Sequence, residues 1–315
     1  MANIAITNYC NLSCPYCFAN EFILENKEEI SISQLNTILE FLKKAPPPRI
    51  GIIGGEPTLH PKIDVVISTI KEFVKTYNGK IALFTNGIQL NKIFSLIDNT
   101  TDILINLNEP EVIGDYNWKK IQQNLTYLAM IDKIRYVKFG INLYLDIKNL
   151  EYIFVTAKQF KQNTIRCSCV APTCQYKNIS KYDYYNRMKP IFLQFCNLAK
   201  QYNIQLALDC NHIPKCYFTD EEYNTIKGVI LNDTSICVPV VDITPSFYGS
   251  SCFGSYDLID LHQFENLLEA IKYFKEQKMN VLMEKNDAYP CTNCDRFQEK
   301  KCQGGCLAFA KHKID

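Results

Sequence analysis

Two hydrophobic periods alternate along this chain. Short apolar runs, rich in isoleucine, alternate with longer stretches whose apolar residues recur every third or fourth position. The runs predict strands at 3–7, 49–53, 80–85, 102–106, 136–143 and 164–168. The stretches between them predict helices at 31–44, 62–77, 88–97, 118–131, 150–160 and 184–202. In the first helix Ile32, Leu35, Ile38, Leu39 and Leu42 share one face, and the prolines at 46–48 end it. Strand–helix alternation of this kind implies an α/β fold with a parallel sheet and right-handed crossovers. Periodicity alone leaves a doubly wound sheet and a partial barrel both open. After about residue 205 the pattern breaks down. A hairpin is expected from 240–243 and 247–251, turning at 244–246, then a helix at 259–277. We therefore expect two domains, 1–208 and a cysteine-rich 209–315.

Composition narrows the function. Hydrophobic residues make up 47% of the 315, enough for a sizeable core. The 34 basic and 33 acidic side chains leave a net charge of +1, which argues against general nucleic-acid binding. No apolar run is long enough to span a membrane, and the N-terminus reads as a strand rather than a signal peptide. A cytoplasmic location is expected. The fifteen cysteines then change the picture. In a reduced compartment so many point to metal or redox chemistry, and an odd count fits a disulfide framework poorly.

Cys10, Cys14 and Cys17 follow the first strand with C-x3-C-x2-C spacing. A [4Fe–4S] cluster takes four thiolates, so three would leave one iron open to a ligand. A structural zinc site would need a fourth ligand, and the sequence offers none nearby. This triad, with aromatic Tyr16 before its last cysteine, resembles the hallmark of the radical S-adenosylmethionine (SAM) superfamily. The second strand ends in Gly54-Gly55-Glu56-Pro57, which resembles the family's GGEP motif. Paired glycines allow close backbone approach, and a glutamate accepts charge-assisted hydrogen bonds from an ammonium. Weaker matches are Asn86 in Thr85-Asn86-Gly87, Asn106 and Asn108 at the end of the fourth strand, Asn142 on the fifth and Arg166 on the sixth. All fall near the C-terminal ends of predicted strands, where ligands bind in such folds. The resemblance covers about residues 1–208. It implies a partial (β/α)6 barrel, with SAM chelated by the open iron of the N-terminal cluster and the listed residues around it.

Cys291, Cys294, Cys302 and Cys306 follow C-x2-C-x7-C-x3-C spacing, with Cys237 and Cys252 upstream. This resembles the SPASM/Twitch extension of radical SAM proteins, which holds one or two auxiliary [4Fe–4S] clusters. The chain departs from that pattern in a longer middle spacer and in having no cysteine after Cys306. The resemblance implies Cys237, Cys252 and Cys306 at one cluster and Cys291, Cys294 and Cys302 at another, each short of a thiolate. Cys216 is expected to complete the first and Cys210 the second, with an open iron as the alternative. A zinc site and a single cluster also remain open. Cys167 and Cys169 lie at the end of the sixth strand, where they read either as hydrogen donors to a substrate radical or as small core residues. Cys174 and Cys196 complete the set, Cys196 reading as core.

The activity implied is reductive cleavage of SAM to a 5′-deoxyadenosyl radical that abstracts hydrogen from a carbon. An external one-electron reductant of flavodoxin or ferredoxin type is implied with it. Most SPASM-bearing relatives modify peptides or proteins, so a peptide maturase that crosslinks, epimerises or oxidises a residue is the first expectation. No leader-recognition domain precedes the first strand, which calls for a separate recognition partner or a leader-independent substrate. A small-molecule dehydrogenase or carbon–carbon bond-forming enzyme is the second reading. A non-catalytic iron–sulfur electron-transfer protein is the third.

Overall fold

A computed structural model of the protein describes residues 1–17, 27–171, 176, 178–232, 236–252, 257–286 and 291–311. Its strands and main helices run in the order β1 (Ala2–Ala5), α1 (Ile32–Lys43), β2 (Arg49–Ile53), α2 (Ile63–Lys75), β3 (Lys80–Thr85), β4 (Thr101–Asn106), α3 (Asp115–Met130) and β5 (Val137–Leu143). Then come α4 (Glu151–Gln159), β6 (Thr164–Cys169), α5 (Lys181–Gln201), β7 (Gln205–Leu208), α6 (Asp220–Lys227), β8 (Val241–Ile243), β9 (Tyr248–Ser250), β10 (Ile259–Asp260), α7 (Leu267–Tyr273) and α8 (Asn280–Lys285). The predicted alternation is thus present in space, as an α/β fold with the parallel strands of a partial barrel.

Two elements differ locally from those predicted. The segment predicted as a helix at 88–97 is a 3-10 helix, Leu90–Leu96. The stretch predicted as one helix at 259–277 begins instead with β10 and a 3-10 turn capped by Asp260. The helix starts only where the Asn266 side chain accepts from the N–H groups of Leu268 and Glu269. By contrast, α1 begins where expected, because Ser31 and Gln34 form a reciprocal capping box.

The chain divides into two compact units, 1–138 with 239–276, and 139–238 with 277–315. The expected boundary near 208 does not mark this division, and strand pairing explains why. In the first unit β1 pairs in parallel with β2 on one side and with β8 on the other. β2, β3 and β4 continue in parallel. The expected hairpin forms as antiparallel β8 and β9, with β10 beside it. It therefore extends the first unit's sheet instead of belonging to a separate C-terminal domain. In the second unit β5, β6 and β7 are parallel.

Alternation sorts the side chains of the first unit's sheet. Ile4, Ile50, Ile52, Ile81, Leu83, Ile103 and Ile105 are fully buried on one face. Asn3, Ile53, Phe84, Leu104 and Asn106 alternate with them and are half-buried on the other. That second face carries an unusual pair. Asn3 lies opposite Asp242 in register, and its Nδ2 donates to Asp242 Oδ1 at 2.6 Å. Burial pushes the Asp242 carboxyl up to about 7, against the pull of the Asn3 hydrogen bond. A carboxyl raised in the folded state binds its proton there more tightly than in the unfolded chain. Its contribution to stability is therefore full below the unfolded value near 4 and is lost as pH rises toward 7. Asp242→Asn, which stays neutral, should be more stable than the parent at pH 8 by on the order of a few kcal/mol, with the gap narrowing markedly by pH 5. Anaerobic thermal unfolding at the two pH values checks this.

Candidate functional site

The first group of site residues sits where β1 runs past the sheet into the cysteine loop. The ladder to β2 continues beyond Ala5: Ile6 N–H donates to Ile53, Gly55 N–H to Thr7 at 2.7 Å, and Glu56 N–H to Tyr9 at 2.7 Å. On its other side the segment is held by Asn8 N–H to Glu28 and Ile30 N–H to Ile6. Glycine is required at 54 and 55 by this close approach. A Cβ on Gly54 would stand 2.3 Å from the Thr7 carbonyl oxygen, and one on Gly55 2.3 Å from that of Tyr9. Cys10 follows directly, so the double glycine fixes where the cysteine loop leaves the sheet.

Glu56 then ties two strand ends together. Its Oε1 accepts from Thr58 N–H (3.0 Å), Thr58 Oγ1 (2.6 Å) and Thr85 Oγ1 (2.7 Å), and its Oε2 from Asn86 N–H (2.7 Å). Burial pushes this carboxyl above its ordinary range, while these donors pull it back. A carboxylate offers about four acceptor sites, three of which are used on Oε1. Room for an ammonium therefore remains only at Oε2. Pro57 opens the short 3-10 turn that carries Thr58. Asn86 in turn reaches into the cysteine loop, its Nδ2 donating to Asn11 Oδ1 at 2.8 Å. Two side chains that sequence reading passed over, Thr58 and Asn11, thus complete the framework. Their signal was only their position beside recognised motif residues.

The three thiols of the triad are half-buried and act on one another electrostatically. Burial first, and then Cys17 and Cys10, push the Cys14 thiol up to about 12. Cys10 is also raised, mainly by burial. Without metal the Cys10 and Cys14 thiols hold their protons, and iron binding must displace them. The Tyr16 ring is buried, and its hydroxyl accepts from Asn106 Nδ2 at 3.1 Å. Asn106 Nδ2 also lies 3.3 Å from Asn108 Oδ1. Asn106 Oδ1 is a buried acceptor with no hydrogen-bond partner among the described residues. An unfilled acceptor beside the triad is what a ligand hydroxyl or amine would satisfy. The site therefore fits a three-thiolate cluster with SAM, on the donor set and on this vacant acceptor.

The second unit holds Asn142 and Arg166. Asn142 Oδ1 accepts from Ser168 Oγ at 2.7 Å, and Arg166 is paired through Nε with Asp209. These residues share one face of β5 and β6, with Gly140 opposite Arg166 and Asn142 opposite Ser168. Cys167 and Cys169 lie on the opposite face and are buried. Burial pushes Cys167 up to about 12, and Cys196 of α5 lies within electrostatic reach of both. Of the two readings of Cys167 and Cys169, hydrogen donors or small core residues, their burial favours the second. They face the helical core, and their thiols are small packing groups. Cys174 lies outside the described residues.

The C-terminal cysteines regroup relative to expectation. Cys216 has Cys291, Cys302 and Cys294 within electrostatic reach, and with burial they push its thiol up to about 11. Cys216 therefore lies with the trio for which Cys210 was expected, not with Cys237. Cys210 is exposed and lies instead near Cys169. Packing accounts for the change. Cys216 lies in a 3-10 turn, Lys215–Tyr217, whose Tyr217 ring packs on Tyr185 of α5 at 5.0 Å between centroids. Tyr185 also donates from its hydroxyl to Asn211 Oδ1 and accepts from Cys306 N–H at 2.8 Å. Gly304 and Gly305 have φ of +76° and +93°, which directs the chain around Cys291 and Tyr185. Among the described residues no three His, Cys, Asp or Glu side chains converge tightly enough for a single ion. A cluster spreads its thiolates over four irons and needs no such convergence. Cys237 and Cys306 belong to the second unit and Cys252 to the first.

Comparison with known proteins gives the following similarities. Residues 4–141 match the model of the radical SAM superfamily. The match covers 138 of the 315 residues, a little under half of the chain. Among curated relatives, a 7,8-dihydro-6-hydroxymethylpterin dimethyltransferase of Methanocaldococcus jannaschii is 37% identical over 30% of this chain and 18% of its own. A probable GTP 3′,8-cyclase of Methanococcus aeolicus is 33% identical over 28% of this chain and 30% of its own. The match thus spans less than a third of either relative. Among solved structures, Streptococcus suis SuiB bound to the precursor peptide SuiA superposes over 98% of this chain and 71% of that one, with TM-score 0.65 and 15% identity. The SAM-bound anSMEcpe superposes over the whole of this chain and 91% of that one, with TM-score 0.66 and 16% identity. At such identity the likeness concerns the fold. No helix of the described residues is long and apolar enough to cross a membrane.

Proposed function

We propose that this protein is a radical SAM enzyme acting on a peptide or small-protein substrate, with an auxiliary cluster on Cys216, Cys291, Cys294 and Cys302. The observation that carries the first part is the cysteine loop docked on Gly54 and Gly55 and held by Glu56 and Asn86. When bound there, an iron–sulfur cluster supplies the electron that cleaves SAM and yields a hydrogen-abstracting radical. The protein's own part is orientation. The Cys10, Cys14 and Cys17 thiolates would hold the cluster, the Gly54–Glu56 edge would take the amino end of SAM, and Asn106 Oδ1 would accept a hydrogen bond from a ligand hydroxyl or amine. An external reductant of flavodoxin or ferredoxin type fits the half-buried triad.

The peptide substrate rests on the fold match, which runs through the C-terminal third, with proteins solved in complex with the SuiA precursor and with the Kp18Cys peptide. The relatives named for small-molecule reactions match only about a third of this chain. The test is to incubate anaerobically reconstituted enzyme, SAM and dithionite with candidate precursor peptides encoded near its gene. A peptide mass change together with 5′-deoxyadenosine supports the reading. 5′-Deoxyadenosine with no change in any peptide shifts the substrate class to small molecules.

A further inference from the structure

At the first position of α5 the Lys181 side chain is buried. Its Nζ donates to the Asn286 carbonyl oxygen at 3.0 Å, to Asn286 Oδ1 at 3.2 Å and to Cys291 Sγ at 3.7 Å. A cation here is opposed twice. Burial removes its hydration, and the N-terminal end of a helix carries partial positive charge. An anionic sulfur offsets both effects. The lysine is also held in place. Asn286 Nδ2 donates to the Gln303 carbonyl at 2.7 Å, and the Gln303 side chain brackets Cys237, donating from Nε2 to its sulfur at 2.8 Å and accepting its N–H. Asn286 and Gln303 are both buried. The polar strip is thus preorganised around the sulfurs rather than free to turn toward solvent.

We propose that Lys181 is a positioning residue whose buried ammonium donates a hydrogen bond to the Cys291 thiolate and raises the reduction potential of the auxiliary cluster ligated there. The inference rests on the reading of Cys291 as a cluster ligand. Reduction adds negative charge to the cluster and its thiolates. A fixed ammonium against one sulfur favours the reduced state over the oxidised one. A charge-assisted hydrogen bond of ordinary strength corresponds to about a tenfold change in the equilibrium.

The test uses the full chain with Cys10, Cys14 and Cys17 replaced by alanine, so that all remaining iron is auxiliary. Iron content and the midpoint potential from an EPR-monitored redox titration are measured with Lys181 intact and in Lys181→Met, Lys181→Gln and Lys181→Arg. The expected result is about four irons retained in Lys181→Met, with a potential about 59 mV more negative, the one-electron equivalent of tenfold. Lys181→Arg, which keeps the charge and the donor, should recover most of the shift. Unchanged potential with iron intact overturns the inference and leaves the ligand assignment standing. Absence of iron when Lys181 is intact overturns the ligand assignment itself. If Lys181→Met fails to fold, Arg and Gln are compared, and equal potentials for those two overturn the inference.

Discussion

Replacing Cys10, Cys14 and Cys17 together with alanine should remove about four irons per chain after anaerobic reconstitution and bring SAM cleavage down to background. The reason is the division of labour within the first unit. The loop is positioned by backbone contacts of Thr7 and Tyr9 to Gly55 and Glu56, none of which involves a thiol. The variant should therefore keep its fold, and its far-ultraviolet circular dichroism should match that of the parent. Loss of cleavage without loss of structure is what a ligand set predicts. The iron that remains reports the auxiliary sites. About four corresponds to one cluster on Cys216, Cys291, Cys294 and Cys302, and about eight adds a second. Retention of both iron and cleavage at parental levels would show that the triad does not hold the catalytic cluster.

The second large effect comes from a single methyl group. Gly55→Ala places a Cβ 2.3 Å from a backbone oxygen, that of Tyr9, which cannot rotate away as a flexible side chain would. The segment leading to Cys10 has to shift, and the Glu56 N–H bond to Tyr9 goes with it. Overpacking costs about 1–3 kcal/mol and the lost bond about 1 kcal/mol more. The triad should lose iron affinity as well as stability, because its exit from the sheet has moved. Gly228→Ala is the matched control. Gly228 is in ordinary helical backbone, and the nearest neighbour of an added Cβ would be 3.5 Å away, so that change should be neutral or slightly stabilising. Thermal unfolding and iron content of the two variants check this. Equal behaviour would mean that the close approach at 55 has no role in holding the loop.

Most of the first site was legible in the sequence because its chemistry is local. The C-x3-C-x2-C spacing and Gly-Gly-Glu-Pro each lie within one turn at a strand end, and the βα periodicity says which ends gather on one side. What the pattern does not carry is pairing between distant segments. Nothing near residue 242 announces that Val241–Ile243 pairs with β1, so the hairpin was placed in a C-terminal domain. Cys216 and Cys210 are equally plausible by count. Only the fold shows that Cys216 lies within electrostatic reach of Cys291 while Cys210 lies near Cys169. Lys181 begins a helix in a polar stretch and reads as a solvated lysine. Its burial depends on Asn286, more than a hundred residues away. Glu56 was read as reaching for a ligand, whereas most of its acceptor capacity is spent joining the ends of β2 and β3.

The flanking of β1 by β2 and β8 has a consequence for how this protein is made. The strand that feeds the cysteine loop precedes in sequence both strands that pair with it. One neighbour follows within some fifty residues, but the other, whose Asp242 meets Asn3, lies 239 residues further on. Until that segment has emerged, one edge of β1 stays open, with its backbone groups unpaired and its cysteines next to them. Such an edge is a template for wrong partners. A nascent chain released too early, or truncated before residue 243, would carry the triad on an unfinished sheet. The last step of closing the first unit, rather than the synthesis of the cysteines themselves, sets the earliest moment at which iron can be loaded safely.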